Sequence, residues 1–221
     1  SLSLWLGLWL GRPLYYTDGV QQLRADELQA DGMLRWSPPE VVAELPGRVS
    51  GRVAQLPDGR LCYGRLQPDG TSDLVVFDPR LPQNAPEPAY GLNSAHNELA
   101  PALGPDGVLY FASDRPGGFG GDDLYASRLE RGGFAPPVPL AAINTARDET
   151  DPAPSPDGST LVFVRIDEEQ RGPDDGRLFR FALGGELDAV PLFEEPLGQR
   201  QARRADRDPA FSADGAELWF V

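Results

Sequence analysis

Apolar and polar positions alternate along this chain in runs of four to eight residues, too short for helices and punctuated by glycine and proline. The clearest stretch lies between Asn97 and Asn144. After Glu98-Leu99-Ala100-Pro101-Ala102-Leu103 comes Val108-Leu109-Tyr110-Phe111-Ala112-Ser113. A glycine loop from Asp114 to Asp122 follows, then Asp123-Leu124-Tyr125-Ala126-Ser127, a short charged turn and Val138-Pro139-Leu140. This pattern predicts four antiparallel strands. Gly104-Pro105-Asp106-Gly107 joins the first two, with proline presetting φ at the second position and glycine accepting a left-handed conformation at the fourth. Such a sheet cannot bury both of its faces alone, so it needs neighbours of its own kind.

The neighbours are written in the same chain. Gly59, Gly107, Gly158 and Gly215, each preceded by aspartate, lie 48, 51 and 57 residues apart. Each is followed within three residues by an apolar strand: Leu61-Cys62-Tyr63, Leu109-Tyr110-Phe111, Leu161-Val162-Phe163 and Leu218-Trp219-Phe220. Gly11, ahead of Leu14-Tyr15-Tyr16, opens a degenerate further copy. A period of this size with four strands per unit predicts an all-β fold, a β-propeller of four-stranded antiparallel blades. About five repeats fall at 3–46, 50–92, 97–144, 148–194 and 205–221, the last incomplete and the first complete or incomplete according to how Ser1–Leu10 is read, within one propeller domain or a fragment of one. Ser1–Leu10 reads either as the inner strand of the first copy or as the remnant of a secretory apolar segment. The two strands after Arg204 do not complete a blade, so an arc or an irregular closure is expected.

Composition narrows the functional classes. With 25 glycines and 23 prolines among 221 residues, the chain is turn-dense rather than disordered, because aromatic and β-branched strands lie between the turns. A net charge of −14 repels phosphate backbones and anionic lipid, which argues against nucleic-acid or membrane-surface binding. The single Cys62 allows no internal disulfide and sits on a predicted strand as a small core residue. No apolar run reaches the ~18 residues of a spanning helix.

Ser113-Asp114-Arg115-Pro116-Gly117-Gly118-Phe119-Gly120-Gly121-Asp122-Asp123-Leu124-Tyr125, with Pro105-Asp106-Gly107 before it and Asp148-Glu149-Thr150-Asp151-Pro152-Ala153-Pro154-Ser155-Pro156-Asp157-Gly158 after it, resembles the Pro-Asp-type, WD40-like repeats of TolB-like bacterial propellers. The glycine-rich form is similar to repeats of cell-envelope proteins often joined to an OmpA-type peptidoglycan-binding domain. The likeness is closest over 96–164, extends to 205–221 and 50–77, and fades before 46. It implies a non-enzymatic binding scaffold, periplasmic or on the extracellular face of the envelope. No OmpA-type domain lies in this sequence, so wall binding is not implied.

Catalytic constellations are scarce. His96 is the only histidine, no Gly-x-Ser-x-Gly elbow occurs, and paired-histidine zinc spacing is impossible. Gly117–Gly121 feeds a strand rather than a helix N-terminus, so it reads as a hairpin loop and not a phosphate cradle. Asp114, Asp122 and Asp123, or Asp174 and Asp175, have no spacing of a calcium loop and read as solvated turn residues. No cofactor and no metal are expected.

Stacking the copies on their glycines brings Pro101, Pro152 and Pro209 into register with Val53, followed by the small column Ala54, Ala102, Ala153 and Ala210. Three places before the prolines stand Glu98, Glu149 and Asp206. Five places before the Pro101, Pro152 and Pro209 positions and that of Val53 stand His96, Arg147, Arg204 and Arg48. These seven residues are the candidate partner-binding site, expected where each inner strand begins, at one channel mouth. They serve either as ties between neighbouring blades or as contacts to a partner, expected to be another envelope protein or peptide. The competing class is an enzyme: a propeller hydrolase or lactonase, or the propeller part of a peptidase, using the channel-mouth carboxylates.

Overall fold

A computed structural model describes residues 40–166, 176–185, 188–193, 207–212 and 214–220, and the backbone of the strands at 5–7, 14–17, 21–25, 27–30 and 33–36. Among the described residues every element is a β-strand, and the paired strands within each sheet run antiparallel.

The first sheet has the order β1 (Trp5–Gly7), β2 (Leu14–Thr17), β3 (Gln21–Ala25) and β6 (Glu40–Glu44). Between β3 and β6 a separate hairpin of β4 (Glu27–Ala30) and β5 (Met33–Trp36) is inserted. Within Ser1–Leu10, β1 therefore holds the first-strand place, with Leu6 opposite Tyr16. The second sheet contains β7 (Val49–Gln55), β8 (Leu61–Leu66), β9 (Ser72–Phe77) and β10 (Glu87–Pro88).

The third holds β11 (Glu98–Leu103), β12 (Val108–Ser113) and β13 (Asp123–Glu130), with the two short strands β14 (Gly133–Phe134) and β15 (Val138–Pro139) both pairing with β13. The fourth runs β16 (Asp148–Pro154), β17 (Thr160–Ile166), β18 (Gly176–Ala182) and β19 (Val190–Pro191). A last pair, β20 (Ala210–Phe211) and β21 (Leu218–Trp219), follows.

The sheets stack as blades because each buries residues on both faces. Cys62 and Leu74 of the second blade meet Leu109, Phe111 and Tyr125 of the third, with Ala89 and Leu92 from the connection closing the layer. Tyr110, Ala112 and Leu124 on the opposite face of the third blade meet Leu161 and Phe163 of the fourth around Ile143. Val162, Val164 and Leu178 then receive Phe211 and Leu218 of the last pair. Fully burying each of these side chains contributes roughly 1.5–3 kcal/mol, so the interfaces between blades hold the arc together. Cys62 is fully buried, and that burial pushes its thiol up to about 12, which makes it an inert core residue.

The first strands β1, β7, β11, β16 and β20 are neighbours in that order. They converge so closely that Gly51, with φ +78°, has no room for a side chain: an added Cβ would lie 2.8 Å from the Ala100 nitrogen. The Asp-Gly turns behave as their spacing requires, with φ of +87°, +79°, +71° and +72° at Gly59, Gly107, Gly158 and Gly215.

Candidate functional site

The inner strands β7, β11 and β16 each carry a bulge where the ladder register shifts: between Ser50 and Val53, Leu99 and Ala102, and Thr150 and Ala153. At the bulges Ala100 and Asp151 take φ near +50° and Gly51 takes +78°, and Asp208, two residues before β20, has φ +53°. Counting back seven residues from each turn glycine reaches Arg52, Ala100, Asp151 and Asp208. Equivalent positions in successive blades converge on the axis, so one arginine and two aspartates meet there, all three buried.

Arg52 donates through Nη1 to the Pro152 carbonyl at 2.9 Å, linking the inner strands of the second and fourth blades past the third. Burial lowers the pKa of Arg52, while Asp208 and Asp151 act to hold it up. Burial pushes Asp208 up to about 7, reinforced by Asp151 and opposed by Arg52 and Arg207. Burial raises Asp151 as well, against the pull of Arg52 and Arg207. Asp208 Oδ1 is buried without a hydrogen-bond partner. Nearby Asp122 is pushed up to about 6, first by burial and then by Asp148, Asp114, Asp151 and Asp123.

Arg52 also lines a cavity of about 490 Å³ on the turn side of this cluster. Its walls are the ends of the inner strands: Val53 and Ala54, Pro101 and Ala102, Ala153 and Pro154, Ala210 and Phe211. The alanine column read from the sequence thus lines the cavity, where small side chains leave the space open.

The seven candidate residues fall into three groups. Glu98 and Glu149 begin β11 and β16 and are completely buried. Glu98 accepts from the Ser94 N–H and hydroxyl, the Ser113 hydroxyl and Arg115 Nη2 at 2.9 Å. Glu149 accepts from the Thr145 N–H and hydroxyl and from Arg165 Nε at 2.7 Å. Each arginine also donates to the connection before its blade, Arg115 to the Leu92 carbonyl and Arg165 to that of Ile143. Arg115 stacks over Phe111 and Tyr125, and Arg165 over Phe163 and Phe179. One residue later in each connection, Asn93 and Asn144 bond both backbone groups of Leu74 and Leu124 in the preceding blade. Each connection is therefore fixed to the blade behind by asparagine and to the blade ahead by the Glu–Arg pair.

His96 is half-exposed and Arg48 and Arg147 are exposed, while Arg204 and Asp206 lie outside the described residues, as do Asp174 and Asp175. The arginines that bind the two glutamates, Arg115 and Arg165, were not among the candidates. Nor were Arg52, Asp151 and Asp208, whose signal was a charged column one place before Val53 and the prolines. Among the described residues, no group of three or more His, Cys, Asp or Glu side chains is arranged to hold a metal ion.

No family model and no curated protein matches the sequence. Solved structures do. The chain is similar to TolB from Acinetobacter baumannii, at 19% identity and a TM-score of 0.55, over 91% of this chain and 42% of that one. It therefore spans less than half of that protein's length. A TolB-type protein from Agrobacterium tumefaciens aligns at 17% identity and TM-score 0.57, over 99% of this chain and 90% of the other. A gluconolactonase from Xanthomonas campestris aligns at 15% identity and TM-score 0.58, over 98% and 69%. Blades stacked through their apolar faces, inner strands meeting at an axis and these likenesses agree on one architecture: the chain has a TolB-like β-propeller fold.

Proposed function

We propose that this chain is a non-enzymatic binding propeller that takes a ligand or a partner segment at the axis, in the cavity at the turn end of its inner strands. The observation that carries this reading is the cavity itself, about 490 Å³ and walled by equivalent positions of four successive strand ends. That volume suits a side chain or a small ligand, and its lining is mostly apolar with one guanidinium, as binding pockets commonly are. The two described carboxylates nominated at the strand starts are committed elsewhere, since Glu98 and Glu149 are enclosed by hydrogen bonds and ion pairs that fasten the blades. The resemblance to envelope repeats supports a periplasmic or extracellular-face location and an envelope protein or peptide as partner.

A lactonase or hydrolase reading draws support from the likeness to the gluconolactonase and from Asp208, whose pKa near 7 suits proton transfer. Two measurements separate the readings. Amide NMR with a panel of blocked tripeptides should shift the N–H signals of Ala102, Leu103, Gly104, Ala153, Ser155, Ala210 and Phe211 and leave the outer strands unchanged. Turnover of a lactone, an aryl glycoside or an aminoacyl anilide that disappears in Asp208→Asn would overturn the binding reading.

A further inference from the structure

The cavity mouth carries a feature that its apolar walls do not require. Each inner strand leaves the wall and enters an Asp-Gly turn, so Asp58, Asp106, Asp157 and Asp214 occupy one place in four successive copies. All four are exposed. Pro57, Pro105 and Pro156, the residues immediately before three of them, line the cavity. The turns also lie against one another. An added Cβ on Gly158 would lie 3.3 Å from Pro105 Cγ, and one on Gly215 would lie 3.7 Å from Pro156 Cδ.

Turn formation engages one oxygen of Asp106 and of Asp214, and both oxygens of Asp58 and Asp157. Asp106 Oδ1 accepts from the Val108 N–H and Asp214 Oδ1 from the Ser212 hydroxyl and Ala216 N–H, and among the described residues none donates to either Oδ2. Asp157 is engaged by the Ser155 hydroxyl and the Ser159 N–H and hydroxyl. Those bonds draw it down to about 2, and similar bonds lower Asp214, so both remain ionised at any working pH. Asp58 pairs with Arg60 Nε at 2.8 Å, and Arg128 lies beside the Asp106 turn, donating through Nη1 to the Asp106 carbonyl at 3.1 Å. An apolar cavity is therefore rimmed by permanent negative charge on a chain whose net charge is already −14.

Resting on the binding reading above, we propose that the cavity receives an apolar side chain carried on a short basic segment of a partner protein, the rim aspartates Asp106, Asp157 and Asp214 pairing with its Lys or Arg flanks. Charge complementarity selects this occupant over the alternatives. An acidic segment meets three carboxylates, of which only Asp106 has a described cation, Arg128, beside it, and an uncharged segment gains nothing from the rim. At the floor the occupant finds the Arg52 guanidinium, whose charge Asp151 and Asp208 already balance. A neutral side chain there leaves that balance undisturbed.

The test is titration of the full chain with Ac-Lys-Leu-Lys-amide, Ac-Gly-Leu-Gly-amide and Ac-Glu-Leu-Glu-amide at 150 mM salt, where exposed charges more than about 8 Å apart are screened. The lysine peptide should bind about tenfold more tightly than the glycine peptide, the sum of two exposed pairs of modest strength each. Asp157→Asn combined with Asp214→Asn should remove most of that margin. Asparagine keeps the Oδ1 acceptor of each turn, so the fold is retained while the charge is lost. Ala102→Phe, which fills the cavity and leaves the rim intact, should abolish binding of both the lysine and the glycine peptides.

If the lysine and glycine peptides bind equally, the rim inference is overturned and the cavity reading stands. Undiminished lysine-peptide binding by Ala102→Phe would mean diffuse surface attraction and overturn it too. A response to calcium chloride alone, with none to the peptides, would replace the partner by an ion. Failure of all three peptides to bind would overturn the inference together with the reading on which it rests.

Discussion

Glu98 and Glu149 have no contact with water, and each accepts three or four donors from serine, threonine and arginine. A buried carboxylate so enclosed is costly to remove, because the arginine left behind remains desolvated without its partner. Glu149→Ala should therefore destabilise the chain by about 3 kcal/mol or more, read as a lower midpoint in urea. Ligand affinity at the turn-end cavity should be unchanged. Loss of binding at unchanged stability would mean that these residues contact a partner instead. The pairing was hidden in the sequence because the partners hold no constant spacing, Arg115 standing 17 residues after Glu98 and Arg165 only 16 after Glu149. A register argument sees columns, and these arginines do not form one.

Strands and turns were the most legible level. The Asp-Gly pairs marked the four turns at Gly59, Gly107, Gly158 and Gly215 because a left-handed residue is needed there and glycine adopts it without strain. The hairpin of β4 and β5 was not read, although Asp31-Gly32 stands between the apolar Ala30 and Met33, because that pair falls outside the repeat spacing. The bulges were also illegible. Ala100, Asp151 and Asp208 have positive φ although none is glycine, a conformation imposed by the converging strands and not by local preference. Two substitutions test this level together. Gly59→Ala meets open space and should cost only the backbone penalty, about 1 kcal/mol. Gly51→Ala has a similar φ but drives its Cβ into the Ala100 backbone, so it should cost clearly more, on the scale of 2 kcal/mol or above for combined strain and overpacking. Equal urea midpoints for the two variants would show that the inner strands can separate at no cost.

At the scale of the whole molecule, contacts between blades mostly join immediate neighbours, as in any repeat array. The Arg52 bond to the Pro152 carbonyl is different, because it joins the second blade to the fourth. Its energetics are tied to proton binding by Asp151 and Asp208. Both carboxyls have folded-state pKa values above the ordinary 3.8, chiefly through burial. In the window between that value and about 7 the folded chain holds protons that the unfolded chain has released, so stability is greatest on the acid side and declines as pH rises through the window.

Replacing Arg52 by methionine removes the main counter-charge and leaves half-exposed Arg207 as the remaining cation acting on the pair. Both carboxyls should then titrate higher still, and the decline should steepen. Arg52→Met is expected to lose about 3 kcal/mol relative to the parent at pH 8, the usual cost of breaking a buried ion pair. It should recover much of that loss near pH 5, where the aspartates are protonated. Combining Arg52→Met with Asp151→Asn and Asp208→Asn should reduce the dependence to the part that nearby Asp122 contributes, since the two aspartates that face Arg52 no longer titrate. Thermal denaturation of the parent, the single and the triple variant between pH 5 and 8 reads this directly. A loss of the same size at both pH values would place the contribution of Arg52 in packing and its bond to Pro152, and not in the charge it shares with the two aspartates.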